Sequence, residues 1–124
     1  MNCLFCKMIS GEIPCKKIYE DDKVIAILDL HPSSDGHTLI IPKKHYDDML
    51  TIDNDMLIHI HSVAQKLTPI LMKKMNASAL SIRINYGDTQ EIKHFHMHLL
   101  PNYGIKKAKL TQDEAYEILK DSFK

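Results

Sequence analysis

Residues 94–100 read His94-Phe95-His96-Met97-His98-Leu99-Leu100, with a histidine at every second position of the first five. Side chains of a β-strand point alternately to the two faces of its sheet. A strand over this stretch carries its three imidazoles on one face, while the apolar side chains on the other face can pack on a core. Such a pattern is improbable by chance, so we expect this strand to contribute both to packing and to chemistry.

The three histidines are too widely spaced along a straight strand to bind one metal ion together. At about 3.3 Å per residue, the α-carbons of His94 and His98 lie about 13 Å apart. Zinc needs its imidazole nitrogens at about 2.0–2.1 Å. Two neighbouring histidines can converge on one ion, so we expect the third to have a different role.

Strand signals recur on both sides of this stretch. Apolar and β-branched runs, separated by turn residues, predict strands at 16–20, 24–28, 38–42, 81–85 and 92–100, the last ended by Pro101. Asp21-Asp22 and residues 86–89 read as turns. These strands predict an antiparallel sheet of about five strands.

Two helices are predicted between and after the strands. From Asp53 to Lys74, apolar residues recur at the spacing of one helical face, and Pro69 should kink or end this helix near Thr68. The stripe comprises Leu57, Ile60, Ala64, Leu67 and Leu71, and fits either a core or an interface between subunits. A capping box at 111–114 predicts a short C-terminal helix. The expected class is α+β, with the helices on one face of the sheet.

Length and charge limit the class of protein. The 124 residues fit one compact domain. Equal numbers of basic and acidic residues, 16 of each, lack the basic excess of nucleic-acid-binding proteins. The N-terminal residues do not resemble a secretory signal, and no apolar run approaches the roughly 18 residues that span a bilayer. We expect a cytoplasmic protein that binds neither nucleic acid nor membrane.

Cys3 and Cys6 are separated by two residues, a spacing typical of metal sites and redox pairs. A redox pair would open a helix after a strand, and no strand signal precedes Cys3. The metal interpretation is therefore favoured, and the pair supplies half of a tetrahedral zinc site. Cys15 is expected to be an ordinary half-buried thiol.

The 94–100 stretch resembles the motif of the histidine-triad (HIT) family, which is His-apolar-His-apolar-His followed by two apolar residues. The resemblance runs in order from Cys3 to about Pro101 and includes Cys3-Leu4-Phe5-Cys6, Gly11-Glu12-Ile13-Pro14, Leu28-Asp29 and residues 36–45. It is most similar to the zinc-bearing bacterial histidine-triad nucleotide-binding (HINT-like) hydrolases. It implies a single HIT domain over 1–124, with a zinc knuckle at 1–14, the HIT motif at 94–100 and a variable C-terminal tail at 102–124.

This resemblance implies a nucleotide hydrolase or transferase in which His96 is the nucleophile. His96 would attack the α-phosphorus of a nucleoside phosphoramidate or a related (di)nucleoside polyphosphate. Water would then release a nucleoside monophosphate from the nucleotidyl-histidine, with His98 and His37 completing the catalytic set. A neutral imidazole is available near pH 7, provided that its second nitrogen carries the proton, expected to be hydrogen-bonded to a backbone carbonyl.

The resemblance also implies the nucleotide contacts. Asp29 and Leu30 match the ribose and base contacts, and the phosphate-side loop matches at Asn85, Thr89, Gln90 and Glu91, together with His96 and His98. This loop is shorter than usual, and Glu91 stands where many members have a serine. A carboxylate there repels an anionic phosphate unless it is protonated or turned away. The implied substrate is a purine nucleotide of the AMP or GMP type.

For the metal, the resemblance implies a closed structural zinc site formed by Cys3, Cys6, His45 and His94, with no metal needed in the chemical step. It further implies a homodimer formed through the long helix and a neighbouring strand. Two other functions remain open at this point. One is a regulatory module that binds nucleotides with negligible turnover, and the other is a zinc hydrolase in which two strand histidines hold a catalytic ion.

Overall fold

The computed structural model describes residues 3–123, so residues 1, 2 and 124 of the predicted domain lie outside the described part. It contains a five-stranded antiparallel sheet in the order β1-β2-β3-β5-β4. The strands are β1 (Lys17–Glu20), β2 (Val24–Leu28), β3 (Thr38–Pro42), β4 (Leu80–Arg83) and β5 (Met97–Pro101). The α-helices are α1 (Leu4–Ile9), α2 (Asn54–Lys74) and α3 (Gln112–Leu119). The α+β class, the long central helix and the short C-terminal helix are confirmed.

Apolar side chains cover both faces of the sheet. The alternating residues Val24, Ala26 and Leu28 of β2 pack with α2 and α3, while Ile25 and Ile27 pack on the other face against α1. Burial on both faces explains why β2 is a continuous apolar run. The face covered by α1 is covered only in part, and the functional cleft opens there.

The apolar stripe of α2 belongs to this core. Ile60, Ala64, Leu67 and Leu71 of the stripe are fully buried, Leu57 packs at the margin, and Val63 is buried beside them. The sequence left open whether the stripe forms a core or an interface, and the structure assigns it to the core of one chain. No helix within residues 3–123 is long and apolar enough to cross a membrane.

Of the predicted kink or end at Pro69, the end is wrong, because α2 continues through the proline to Lys74. Proline removes one backbone donor, which leaves the carbonyl four residues earlier without its helical partner. Pro69 lies on the exposed face of α2, where water can satisfy that carbonyl. Leu67 and Leu71 are both fully buried, so packing on each side of the proline holds the helix together.

The predicted strand at 92–100 is also wrong at its start, because β5 begins only at Met97. The backbone N–H of Phe95 donates to the carbonyl of Tyr46 at 2.7 Å instead of joining the ladder. The ring of His94 contacts Sγ of Cys3 through Nδ1 and the carbonyl oxygen of Pro42 through Nε2. These long-range contacts cannot be read from local periodicity. The other strand boundaries agree with prediction to within two residues.

The predicted turn after β1 is organised by the carboxylate of Asp21. Its Oδ1 accepts hydrogen bonds from the backbone N–H groups of Lys23 and Val24, both at 2.8 Å. Its Oδ2 lies 2.9 Å from the hydroxyl of Tyr19 and 2.8 Å from Nε2 of His59 on α2. Burial alone would raise the pKa of Asp21, but these hydrogen bonds outweigh it and lower the pKa to about 2.

The C-terminal helix begins with the predicted capping box. Thr111 accepts from the backbone of Glu114, whose carboxylate accepts from the backbone of Thr111 in return. Ala115 and Leu119 bury the inner face of α3 against the core. The side chain of Gln112 donates to the carbonyl of Leu28 at 3.0 Å, which ties α3 to the end of β2.

Candidate active site and metal cluster

A cleft of about 1190 Å³ opens beside α1, between the end of β2 and the β4–β5 hairpin. All but one of the predicted catalytic and nucleotide-contacting residues line it, namely Asp29, Leu30, His37, Asn85, Thr89, Glu91, His96 and His98. They come from four separate segments of the chain. The exception is Gln90, which is buried.

His96 sits in the extended segment that leads into β5, with its side chain 9% exposed. Its Nδ1 lies 2.8 Å from the carbonyl oxygen of His94. Because a carbonyl only accepts, Nδ1 must carry the proton, and in the neutral ring Nε2 keeps its lone pair. Burial lowers the pKa of His96, so the ring is neutral near pH 7. The rings of Phe5 and His96 pack edge to face, with centroids 5.0 Å apart.

A chain of hydrogen bonds fixes the tautomer of His98. The backbone N–H of Ser33 donates to Nδ1 of His37 at 3.1 Å. The proton of neutral His37 must then be on Nε2, which lies 2.9 Å from Nδ1 of His98 and donates to it. In consequence neutral His98 carries its proton on Nε2, the nitrogen 3.4 Å from Nδ2 of Asn85. Because both nitrogens are then donors, the Asn85 amide accepts this proton only when it turns its Oδ1 to that position.

Burial keeps this histidine pair neutral. Burial lowers the pKa of His37, and it lowers the pKa of His98 to about 3 with help from the neighbouring rings and Arg83. A neutral His98 with its proton on Nε2 is a hydrogen-bond donor at neutral pH. It can therefore donate to an oxygen of a bound phosphate.

Asp29 follows β2 at the edge of the cleft. Its Oδ1 accepts from the backbone N–H of His31 at 2.8 Å, and its Oδ2 lies 3.7 Å from Nε2 of His37. Leu30 beside it is 65% exposed and offers an apolar surface within the cleft. The carboxylate can accept hydrogen bonds from the hydroxyl groups of a ribose, and the apolar side chain can pack on a base.

The phosphate-side loop turns Gln90 inward while Asn85, Thr89 and Glu91 line the cleft. The side-chain amide of Gln90 donates to the carbonyl oxygens of Asp47 and Ile92, at 2.8 and 3.1 Å. Its Oε1 is buried without a partner among the described residues. In this arrangement Gln90 holds the loop in place, and Glu91 is solvent-exposed.

Arg83 also lines the cleft, although the sequence reasoning missed it. It is the cross-strand partner of His98, and directly paired residues project on the same face of a sheet. Its guanidinium lies over the ring of Tyr103, 4.7 Å from the centroid. The alternation of Ser81, Arg83 and Asn85 along one strand could have revealed it, because Asn85 was already assigned to the site.

The ligand atoms of Cys3, Cys6, His45 and His94 lie within 4.8 Å of one another and can hold a metal ion. Nδ1 of His94 is 3.3 Å from Sγ of Cys3 and 3.5 Å from Sγ of Cys6, and Nδ1 of His45 is 3.3 Å from Sγ of Cys6. Tetrahedral zinc, with bonds of about 2.3 Å to sulfur and 2.0–2.1 Å to nitrogen, separates such ligands by about 3.6 Å. The donor set therefore fits zinc closely.

In both histidines of this cluster, the ring nitrogen that faces away from the other ligands has a hydrogen-bond partner of its own. Nε2 of His94 lies 2.8 Å from the carbonyl of Pro42, and Nε2 of His45 lies 2.8 Å from Oδ1 of Asp47. Such outer partners keep the proton on Nε2 and present the lone pair of Nδ1 to the metal. Burial lowers the pKa of His94 to about 4, so its ring is neutral near pH 7, as metal ligation requires.

A second group, Asp29, His37 and His98, also has ligand atoms within 4.8 Å of one another. Here the two imidazoles already share a hydrogen bond. Nε2 of His37 carries the proton because its Nδ1 accepts from Ser33. A metal ion could bind this nitrogen only if the proton left and the hydrogen bond to His98 broke. These contacts favour a hydrogen-bonded pair over a catalytic metal ion.

Comparison with known proteins points to one family. A model of the HIT domain matches residues 10–105. An uncharacterized HIT-like protein of Methanocaldococcus jannaschii is 37% identical over 126 residues, covering 96% of this chain and 97% of the relative. The adenylylsulfatase HINT3 of Arabidopsis thaliana is 37% identical over 102 residues, covering 81% of this chain and 52% of that protein.

A solved structure extends the likeness to the folded chain. The Zn-bound histidine triad family protein from Mycobacterium smegmatis superposes with a TM-score of 0.87 at 30% sequence identity. The match covers 97% of this chain and 91% of the other. The two proteins therefore share one architecture along nearly their whole lengths.

Proposed function

This chain belongs to the HIT-domain family, and we propose that it is a hydrolase or nucleotidyltransferase acting on nucleoside phosphoramidates or related (di)nucleoside polyphosphates. The observation that carries this proposal is the hydrogen bond from Nδ1 of His96 to the carbonyl of His94. It leaves Nε2 as the free nucleophilic nitrogen of a buried, neutral ring that lines the cleft. The adenylylsulfatase activity in the name of the Arabidopsis relative also supports chemistry on a nucleotide.

In the first step, Nε2 of His96 attacks the α-phosphorus and a P–N bond forms. The bond to the leaving group breaks and its electron pair departs with that group, and an amine leaving group takes a proton from water as it leaves. Positive charge develops on the ring as the bond forms, and the carbonyl of His94, which accepts from Nδ1–H, stabilises it. In the second step, water attacks the phosphorus, the P–N bond breaks, and a nucleoside monophosphate leaves the neutral ring.

The other cleft residues would bind and orient the nucleotide. His98, with its proton on Nε2, donates to a phosphate oxygen, and His37 fixes that tautomer. Asp29 accepts from the ribose hydroxyls, and the exposed Leu30 packs on the base. The substrate in this proposal is a purine nucleotide of the AMP or GMP type.

We further propose that Cys3, Cys6, His45 and His94 hold a structural zinc ion. When bound, zinc would supply a tie between α1 and the segment that carries the nucleophile. The carbonyl of His94 orients His96, so fixing His94 also fixes that carbonyl. The Zn-bound state named for the Mycobacterium smegmatis protein supports this proposal. No step of the reaction above needs the ion.

The proposed assembly is a homodimer in the cytoplasm. β4 is an edge strand of the sheet. Ile82 on β4 and Ile58 on α2 are 48% and 64% exposed, so pairing of two β4 strands would extend the sheet and cover apolar surface. No disulfide joins Cys3, Cys6 and Cys15, all of which lie within the described residues, and this suits a reducing compartment. Sedimentation at micromolar concentration tests the assembly, and a single-chain species would exclude the dimer.

The proposed function is tested by following AMP release from adenosine 5′-phosphoramidate in the presence of EDTA. We expect turnover by the wild type and by His61→Ala, which removes an exposed histidine of α2, and none by His96→Ala. Tight AMP binding without turnover would instead favour the regulatory module, and the exposed Glu91 in the cleft would be the first residue to replace. Loss of activity in EDTA with the fold intact would favour the zinc hydrolase.

A further inference from the structure

Arg83 is a half-buried cation in the cleft without a partner for its charge. Among residues 3–123, it forms no ion pair and no hydrogen bond, and its guanidinium is held only by stacking on Tyr103. Charged groups removed from water are normally paired. An unpaired arginine held over a ring at the wall of a cleft is prepared to receive an anion.

The sheet order gives the direction in which that anion lies. Asp29 follows β2, His98 lies on β5, and Arg83 lies on β4, so the order β2-β3-β5-β4 places His98 between the other two. Neighbouring strands are about 4.8 Å apart, so Arg83 is one strand beyond His98 on the side away from Asp29. If Asp29 binds the ribose, the leaving group, which is attached to the α-phosphorus on the side away from the ribose, extends towards Arg83.

The charges around this wall are mixed. Asp88 and Glu91 also line the cleft and would oppose an anion, but both are solvent-exposed. Exposed charges are hydrated and screened by salt, whereas a half-buried charge acts through a lower dielectric. Arg83 is also the only one of the three that is the direct cross-strand neighbour of His98.

We propose that Arg83 binds an anionic leaving group, so that the substrates are nucleotides in which the α-phosphorus carries a further phosphate. This inference rests on the proposed function, whose leaving group it specifies. When the α-phosphorus forms its bond to Nε2 of His96, the bond to the bridging oxygen breaks. The electron pair stays on that oxygen, and Arg83 stabilises the added negative charge on the departing phosphate.

The test compares two leaving groups on the same nucleoside, using diadenosine triphosphate and adenosine 5′-phosphoramidate. For Arg83→Gln we expect kcat/KM for the triphosphate to fall about tenfold or more, the usual effect of losing one charged hydrogen bond. For the phosphoramidate, kcat/KM should change by less than about twofold. Arg83→Lys should recover part of the loss, because it keeps the charge without the planar fork.

Lys66→Gln is the matched control, because Lys66 is also stacked on a tyrosine, 4.7 Å from the centroid of Tyr19, but lies outside the cleft. It should leave both rates unchanged. Equal losses for the two substrates in Arg83→Gln, or no loss for the triphosphate, would overturn the assignment.

Binding measurements separate this inference from the proposed function. If the wild type turns over neither substrate, the proposed function fails, and calorimetry with α,β-methylene-ADP and with AMP tests Arg83 alone. About tenfold weaker binding of the diphosphate analogue to Arg83→Gln, with AMP binding unchanged, supports the anion site. Equal affinities of wild type and variant for the analogue refute it.

Discussion

Replacing His37 with leucine tests the hydrogen-bond chain that sets the tautomer of His98. The substitution removes the Nε2–H donor that lies 2.9 Å from Nδ1 of His98. It leaves a buried acceptor unpaired, which should lower the free energy of unfolding by about 1–3 kcal/mol. The protein then no longer favours the His98 tautomer with its proton on Nε2.

The substitution should also lower catalytic activity, because the Nε2–H group of His98 is the donor proposed for the phosphate. One hydrogen bond to a charged group is worth about 1.5–3 kcal/mol, so kcat/KM should fall by about 10- to 100-fold. His37→Gln keeps an N–H donor and should recover part of the loss. His61→Leu makes the same change at an exposed histidine and should have no effect.

Two measurements check this prediction, namely steady-state kinetics and ¹⁵N NMR of the histidine rings. In the wild type, the ring of His98 should carry its proton on Nε2 and that of His96 on Nδ1. A wild-type His98 protonated on Nδ1 would refute the reasoning. So would a His37→Leu variant that keeps its activity within about twofold of the wild type.

Two further predictions concern stability and metal. Because the pKa of Asp21 is about 2 when folded and 3.8 ordinarily, its stabilisation of about 2 kcal/mol is complete above pH 4 and fades as the pH falls towards 2. Urea unfolding should therefore show Asp21→Asn less stable than the wild type at pH 7, with the gap closing in acid, and a pH-independent gap would contradict this. Elemental analysis should find one zinc per chain in the wild type and in Cys15→Ser but little in Cys6→Ser, and full zinc content in Cys6→Ser would exclude the cluster as its site.

Much of the fold could be predicted because its signals are local. The bounds of β2 and β3 follow from continuous apolar runs between turn residues, and the start of α3 follows from its capping box. The start of β5 could not be predicted, because it depends on a bond from Phe95 to a residue far away in sequence. The helix α2 continues through Pro69 because the proline lies on the face of the helix that is exposed to water. The sequence pattern alone does not show whether this exposure compensates for the backbone donor that proline lacks.

In the candidate site, too, the features with local sequence signals could be predicted and those that depend on distant contacts could not. The period of two placed His96 and His98 together, and the spacing of Cys3 and Cys6 indicated a metal site. The inward turn of Gln90 could not be foreseen, because it depends on carbonyl groups supplied by neighbouring backbone. Arg83 could have been predicted, because the alternation along β4 puts it on the same face as its cross-strand partner His98.

The most direct test of the central claim is to trap the covalent intermediate on His96. The wild type is mixed with an adenosine phosphoramidate, quenched in base within a single turnover, digested and analysed by mass spectrometry. We expect one adenylyl group on the peptide that carries residues 94–100, located on His96, and none in His96→Ala. Release of AMP at the wild-type rate with no adduct, or an adduct that persists in His96→Ala, would contradict the account.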